Sequence, residues 1–312
     1  MKMPTVEVFY PNYSKKAITF SIDDGHIAYD TVLLGIVRPA GIRGTFNLCS
    51  GRLELTPEEY RSLYCGYEIA NHAKYHPYAF SDGVEYTLSD EIFDAKSADE
   101  SKVYRHATIP DVYYSHRGGG RWRLITDADT YIDGIEACRT ELEEIFGEGS
   151  VTGFVWPFGE QKSAAVHEHL RGAGYYGVRK TGALLDSTGF NFYDDVMRWS
   201  YNATHDSLLS VAELYEAYPD DGRLKVFCFG VHSSDFERSG KWDDLREFAK
   251  RYGSRPDDYW YATVREIFEY NLSASRLEVR DNEVYNGSGI SLYIKVDGER
   301  IELPSGSVYK IL

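Results

Sequence analysis

Apolar runs are short throughout this 312-residue chain, and none approaches the roughly 20 residues that a bilayer-spanning helix needs. The opening Met1-Lys2-Met3-Pro4-Thr5-Val6-Glu7-Val8 lacks the apolar core of a secretory leader, so a cytoplasmic location is expected unless a leader has been trimmed away. Cysteine is scarce. Cys49, Cys65, Cys138 and Cys228 are scattered with no Cys-x-x-Cys pair, which predicts free, buried thiols rather than a thiolate cage or a disulfide framework. Basic charge is in short supply too: 34 Lys and Arg face 49 Asp and Glu, a net charge of −15. An acidic surface repels phosphate backbones, so no nucleic-acid partner is expected, and the lack of apolar spans excludes an embedded membrane partner. Internal repeats and low-complexity segments are absent.

The remainder is ordinary for a globular chain, with 43% hydrophobic and 27% charged residues. That length suits one large α/β domain, alone or with a small appendage. Aromatic residues reach 15%, including 26 Tyr and 5 Trp. They fit either plain core filling or a cleft that packs against sugar rings, and composition leaves both open.

Short apolar runs alternate with amphipathic stretches, the pattern of repeated β-α units. Residues 17–22, 44–48, 67–70, 152–156, 176–178 and 225–231 read as strands. Residues 29–40, 56–64, 89–98, 126–146, 163–172 and 211–217 read as helices. Thr56-Pro57-Glu58-Glu59 is a helix start, with an N-cap, a proline at the first position and acids in the first turn. The style changes near residue 272. Alternating stretches at 276–279, 290–296 and 299–303, with Asn286-Gly287 and Asp297-Gly298 as hairpin turns, define a small β appendage over 273–312. The expected division is a (β/α) domain over 1–272 and that appendage.

The chemistry gathers where strands end. Ile18-Thr19-Phe20-Ser21-Ile22 runs into the adjacent carboxylates Asp23 and Asp24 and then Gly25. Neighbouring carboxylates repel, and burying them without a partner is costly, which a cation would relieve. Asn71-His72-Ala73-Lys74-Tyr75-His76-Pro77 places two imidazoles four residues apart, on one face if the segment is a helical turn. One Asp with two His is a three-ligand set that leaves positions open for water and substrate, the requirement for metal-assisted hydrolysis. Pro157-Phe158 and His232 also follow apolar strands. In parallel α/β barrels, active sites occupy that C-terminal rim. Singly, Asp23-Asp24-Gly25 reads equally well as a helix cap, and His232 as a core histidine.

Taken together, the segments resemble the polysaccharide deacetylases, a carbohydrate esterase family that includes chitooligosaccharide and peptidoglycan deacetylases. Thr19 to Gly25 resembles its first motif, Asn71 to Pro77 its second, Phe154-Val155-Trp156-Pro157-Phe158-Gly159 a variant of its third, and Val231-His232 its last, across roughly residues 16–270. The resemblance implies a distorted (β/α) barrel and one divalent metal, zinc first, with cobalt, nickel or iron accepted by the same donors. It implies that Asp24, His72 and His76 bind the metal, Asp23 is the general base, His232 the general acid, and the Phe158 N–H an oxyanion donor, with Pro157 and Trp156 beside it. Where the family opens its third motif with an arginine, this chain has Val155 and Trp156. Arg179 is the favoured substitute for contacting the base, and Arg117 the second candidate. Asp195 to Trp199 is a loose candidate for the family's fourth motif. The implied activity is deacetylation of an N-acetylated sugar, oligosaccharide or glycan. An O-acetyl esterase, a non-sugar C–N hydrolase of the same fold, or a glycan-binding protein that retains the metal are the alternatives. His26, His106, His116, His167, His169 and His205 receive no role.

Overall fold

The computed structural model describes residues 5–79, 88–99, 102–108, 112–116, 120, 122–160, 163–183, 190–192, 195–280 and 282–311. Arg117 falls outside them. The chain divides into two compact units, Met1–Phe46 with Gly66–Glu68 and Gly182–Leu312, and Asn47–Cys65 with Ile69–Thr181.

In the first unit the Lys16–Asp23 strand is central. Lys225–His232 pairs with one edge and Tyr259–Tyr261 with the other, both parallel. Every residue from Ala17 to Asp23 is buried, as expected for a β-branched and aromatic run covered on both faces. Phe20 packs against Phe46, Tyr67 and Phe229 with ring centroids 5.5–5.8 Å apart. Each such ring contributes about 2–3 kcal/mol by leaving water. Gly230 is required by close approach: a Cβ there would lie 2.1 Å from the Tyr201 ring. The helices Ile27–Val37, Leu208–Ala217, Ser233–Ser239, Trp242–Tyr252 and Val264–Ala274 complete the α/β pattern.

Glu68, at the start of its strand, is buried against the first turn of the Val264–Ala274 helix. Its carboxylate accepts from the Thr45 hydroxyl at 2.6 Å and from the Arg265 N–H at 2.8 Å. Desolvation pushes its pKa up to about 7, against the opposing pull of those two hydrogen bonds.

The β-rich C-terminus forms two three-stranded sheets. Leu277–Arg280, Glu283–Asn286 and Val308–Lys310 make one. In the other, Leu292–Val296 pairs with Glu299–Leu303 and also with Val6–Phe9 from the opposite end of the chain. Val284, Ile294, Val296 and Leu303 form a small core that Val6 and Val8 help to cover. The Tyr270 hydroxyl donates to the Phe9 carbonyl and accepts from the Tyr293 N–H, tying the Val264–Ala274 helix to both strands.

In the second unit Glu68–Asn71, Gly153–Val155 and Tyr176–Ala183 are parallel neighbours in that order. The Ala128–Phe146 helix is capped by Asp127, whose side chain accepts from the Thr130 N–H at 2.7 Å. Between the second motif and this helix lies a second sheet, in the order Tyr78–Ala79, Trp122–Thr126, Val112–His116, Val103–Arg105, Leu88–Ile92. The helix expected over 89–98 is therefore corrected: Leu88–Ile92 is an edge strand, and residues 95–97 form a turn. Leu88 and Ser89 pair with Val103 and Tyr104, and Phe93 packs 4.2 Å from the Tyr114 ring and 5.0 Å from Trp122. Cross-strand aromatic packing outweighs the modest helix propensity of that segment. Of the four thiols, Cys49, Cys138 and Cys228 are buried as expected, but Cys65 is exposed.

Candidate active site

Parallel register assembles the first half of the site. Along the pairing of Lys16–Asp23 with Lys225–His232, residue for residue, His232 falls opposite Asp23. Side chains at paired positions share a face, about 5 Å apart. The chain then leaves the strand through two left-handed residues, Asp24 (φ 75°) and Gly25 (φ 69°). Glycine adopts that conformation freely, whereas at Asp24 it is uncommon and redirects the second carboxylate away from the first. Asp24 Oδ2 lies 3.7 Å from His232 Nε2 and 3.5 Å from His26 Nε2.

The orientation of His232 is set by Asp235, on the helix that follows it. Asp235 Oδ2 accepts from the His232 backbone N–H at 3.0 Å and from its Nδ1 at 3.1 Å. A carboxylate only accepts, so Nδ1 carries the proton, and Nε2 faces Asp24. This hydrogen bond raises the His232 pKa; partial burial opposes it, and the Asp23 and Asp24 carboxylates add to it. Desolvation works to raise the Asp235 pKa, yet the His232 side chain and backbone, with Arg238, hold it well below the usual carboxylate range. The signal was available in the sequence: a carboxylate three residues after a strand-end residue can cap the new helix and reach back.

In the second unit, His72 and His76 do meet, with ring centroids 4.7 Å apart, but not in a helical turn. Residues 72–77 form a loop in which Ala73 (φ 57°) and His76 (φ 53°) are left-handed. Asn71 shapes it: its Oδ1 accepts from the Ala73 N–H at 2.8 Å, while its Nδ2 donates to the Ile135 carbonyl at 2.7 Å. His72 Nδ1 lies 2.8 Å from the Val155 carbonyl oxygen. That oxygen can only accept, so Nδ1 is the protonated nitrogen and Nε2 carries the lone pair. Metal-ligating histidines are oriented by this kind of bond, and the donor set suits a divalent ion. Asp24, His72 and His76 are a carboxylate and two imidazoles of the type that holds such an ion.

The third motif forms a tight turn. The Gly159 N–H donates to the Trp156 carbonyl at 3.2 Å, with Pro157 next and Phe158 left-handed at φ 59°. A phenylalanine at that position costs about 1 kcal/mol or more relative to glycine, so the turn is held by its surroundings. The turn's own hydrogen bond does not use the Phe158 N–H. The Phe158 side chain is 42% exposed, with the His76 ring 4.5 Å away and the Arg123 guanidinium 4.3 Å from its face. Trp156 is different. It is 1% exposed and packed against Phe154, Tyr131 and His167. Arg179 is likewise 1% exposed, opposite Val155 in the parallel pairing, and its backbone carbonyl accepts from the Trp156 N–H. Asp195 accepts from the Met197 N–H in a local turn, and Trp199 packs on Phe268.

Residues 11–178, more than half of the chain, match the polysaccharide deacetylase family, and the chain belongs to that family. Its mostly parallel strands and intervening helices are those of the family's (β/α) barrel fold. The chain is thus a hydrolase of the carbohydrate esterase and deacetylase class. His232 lies beyond the matched span. Among solved structures, the chain is similar to the esterase domain of a multidomain xylanase from the hindgut metagenome of Trinervitermes trinervoides, at 15% identity and a TM-score of 0.46, covering 83% of this chain and 92% of that one. It is also similar to a family 4 acetyl xylan esterase from Clostridium thermocellum in complex with cobalt, at 13% identity, a TM-score of 0.45 and coverage of 83% and 92%. A third is the chitin deacetylase of Colletotrichum lindemuthianum, at 14% identity, a TM-score of 0.43 and coverage of 85% and 90%. No curated protein matches the chain. Among the described residues, no helix is long and apolar enough to cross a membrane.

Proposed function

We propose that this protein is a metal-dependent deacetylase acting on an N-acetylated sugar, oligosaccharide or glycan. The observation that carries the reading is the level placement of Asp23 and His232 on adjacent parallel strands, beside Asp24. A base and an acid on neighbouring strands, next to a ligand carboxylate, are what hydrolysis of an amide requires.

Asp24, His72 and His76 would hold one divalent ion, zinc first. When bound, such an ion makes water a competent nucleophile near neutral pH and polarises a carbonyl. Asp23 takes the proton of the attacking water as its oxygen bonds to the acetyl carbon. The Phe158 N–H, presented by its left-handed turn, supports the developing oxyanion, and Pro157 fixes that turn. His232, whose protonated form Asp235 favours, gives its proton to the departing nitrogen as the C–N bond breaks. Acetate and the free amine leave. Arg179 is the positioning cation for the Asp23 base, in place of the arginine missing from the third motif.

The test is acetate release from a panel of N-acetylglucosamine oligomers, peptidoglycan fragments and acetylated xylan, with chelator and with added zinc or cobalt. Metal-dependent release from the N-acetylated members is the expected result, and release from xylan alone would make the chain an O-acetyl esterase. No release from protein that holds stoichiometric metal would overturn the reading.

A further inference from the structure

The loop that carries His72 and His76 also carries a cation, Lys74, two residues from each imidazole. An ammonium on a flexible four-carbon stem beside two nitrogens that must accept a divalent ion is a liability, because like charges repel over this range. The structure shows where that charge is sent. Lys74 Nζ is ion-paired with Glu141 Oε1, and the Ser50 hydroxyl donates to the other carboxylate oxygen at 2.5 Å. Glu141 lies on the Ala128–Phe146 helix, on the face that also presents the Ile135 carbonyl to Asn71 and the Cys138 thiol to the Leu48 carbonyl.

The path of the loop does not need this pair. The Gly51 N–H donates to the Lys74 carbonyl at 2.9 Å, the His72 N–H to the Leu48 carbonyl at 3.0 Å, and Asn71 makes its own turn. Gly51 fits so closely that a Cβ would lie 2.5 Å from the Tyr75 ring and 2.6 Å from the Lys74 carbonyl oxygen. Backbone bonds and steric fit hold the chain trace. The side-chain pair is left with an electrostatic task.

We propose that Glu141 is a positioning residue for the metal site, drawing the Lys74 ammonium toward the helix and neutralising it, so that the His72–His76 loop accepts a divalent cation. This rests on the metal reading above. The pair is partly exposed, with side chains 25% and 36% accessible, so its effect is moderate and sensitive to salt. Removing groups that support metal ligands typically costs ten- to a hundredfold in affinity.

The experiment titrates zinc or cobalt into the apo protein against a competing chelator, with apo melting temperature recorded for every variant. Glu141→Gln is expected to raise the metal Kd about tenfold, at the low end of that range, with most of the loss recovered near 0.5 M salt. Lys74→Met is expected to bind at least as tightly as the unaltered chain. The double variant is expected to return to within about threefold of it, since the charge and its counter-charge leave together. An unchanged Kd in Glu141→Gln overturns the proposal. A Lys74→Met loss as large as that of Glu141→Gln, with no rescue in the double variant, does so as well, because a mechanical tether behaves that way. Lys74→Met leaves the backbone bonds of the loop in place, and it carries the test by itself should Glu141→Gln not fold. Failure of the underlying metal reading has a separate signature: His76→Ala would bind metal as tightly as the unaltered chain.

Discussion

Glu68 should make this protein lose stability as pH rises through neutrality. Its carboxyl is buried and titrates near 7 in the folded chain, against an ordinary 4.5 once unfolding returns it to water. The folded state therefore binds this proton more tightly than the unfolded one. The resulting stabilisation is complete below pH 4.5 and is lost progressively as pH climbs through about 7. The gap between the two values corresponds to about 3 kcal/mol, an upper figure because water penetration and relaxation soften burial. The test is urea unfolding at a series of pH values from 4.5 to 9, comparing the unaltered chain with Glu68→Gln. Glutamine can keep an oxygen for the Thr45 hydroxyl and the Arg265 N–H but cannot ionise. The difference between the two unfolding free energies should change by about 2–3 kcal/mol across that window, with Glu68→Gln gaining relative stability toward high pH. Parallel pH profiles for the two proteins would refute the reasoning. They would mean that Glu68 is ionised in the folded state and that the two hydrogen bonds outweigh its desolvation.

Asp24→Ala or His76→Ala should abolish metal binding and acetate release together, whereas Asp23→Asn should keep the metal, by direct titration, and lose turnover. Asp235→Asn removes the main support for protonated His232, so the alkaline limb of the kcat profile should move to lower pH, with kcat falling about ten- to a hundredfold where that limb lies. Phe158→Gly should relieve the left-handed strain, about 1 kcal/mol in chemical unfolding, while slowing acetate release through loss of the contact with His76. Gly230→Ala should destabilise by about 1–3 kcal/mol in the same assay, because the Tyr201 ring occupies the space of the new methyl.

The strand ends were the most legible part of this chain. A buried parallel strand is a continuous apolar run, so the points where Ile22 gives way to Asp23 and Val231 to His232 mark its rim directly. What could not be read was local backbone conformation. Nothing in Ala73 or His76 announces a left-handed residue, and the turn depends on Asn71 reaching the Ile135 carbonyl, a contact across 64 positions. The same limit applied to residues 89–98, where the Leu88–Ile92 strand depends on partners at Val103 and Tyr104. Asp235 was the missed residue that sequence alone could have supplied, since its three-residue offset from His232 is a helix-start signature.

The pairing of Val6–Phe9 with Leu292–Val296 bears on the order of events during synthesis. The Val6–Phe9 strand leaves the ribosome long before its partner, Leu292–Val296. At ribosomal rates of about 5–20 residues per second, that strand waits on the order of tens of seconds with its edge unpaired. Closing so long a loop is slow in entropic terms, so this pairing is expected to form late, after the parallel strands between its two partners have found one another. Nascent chains stalled before residue 290 should leave Val6 and Val8 without the sheet that shelters them, open to proteases and to chaperones that read exposed apolar edges.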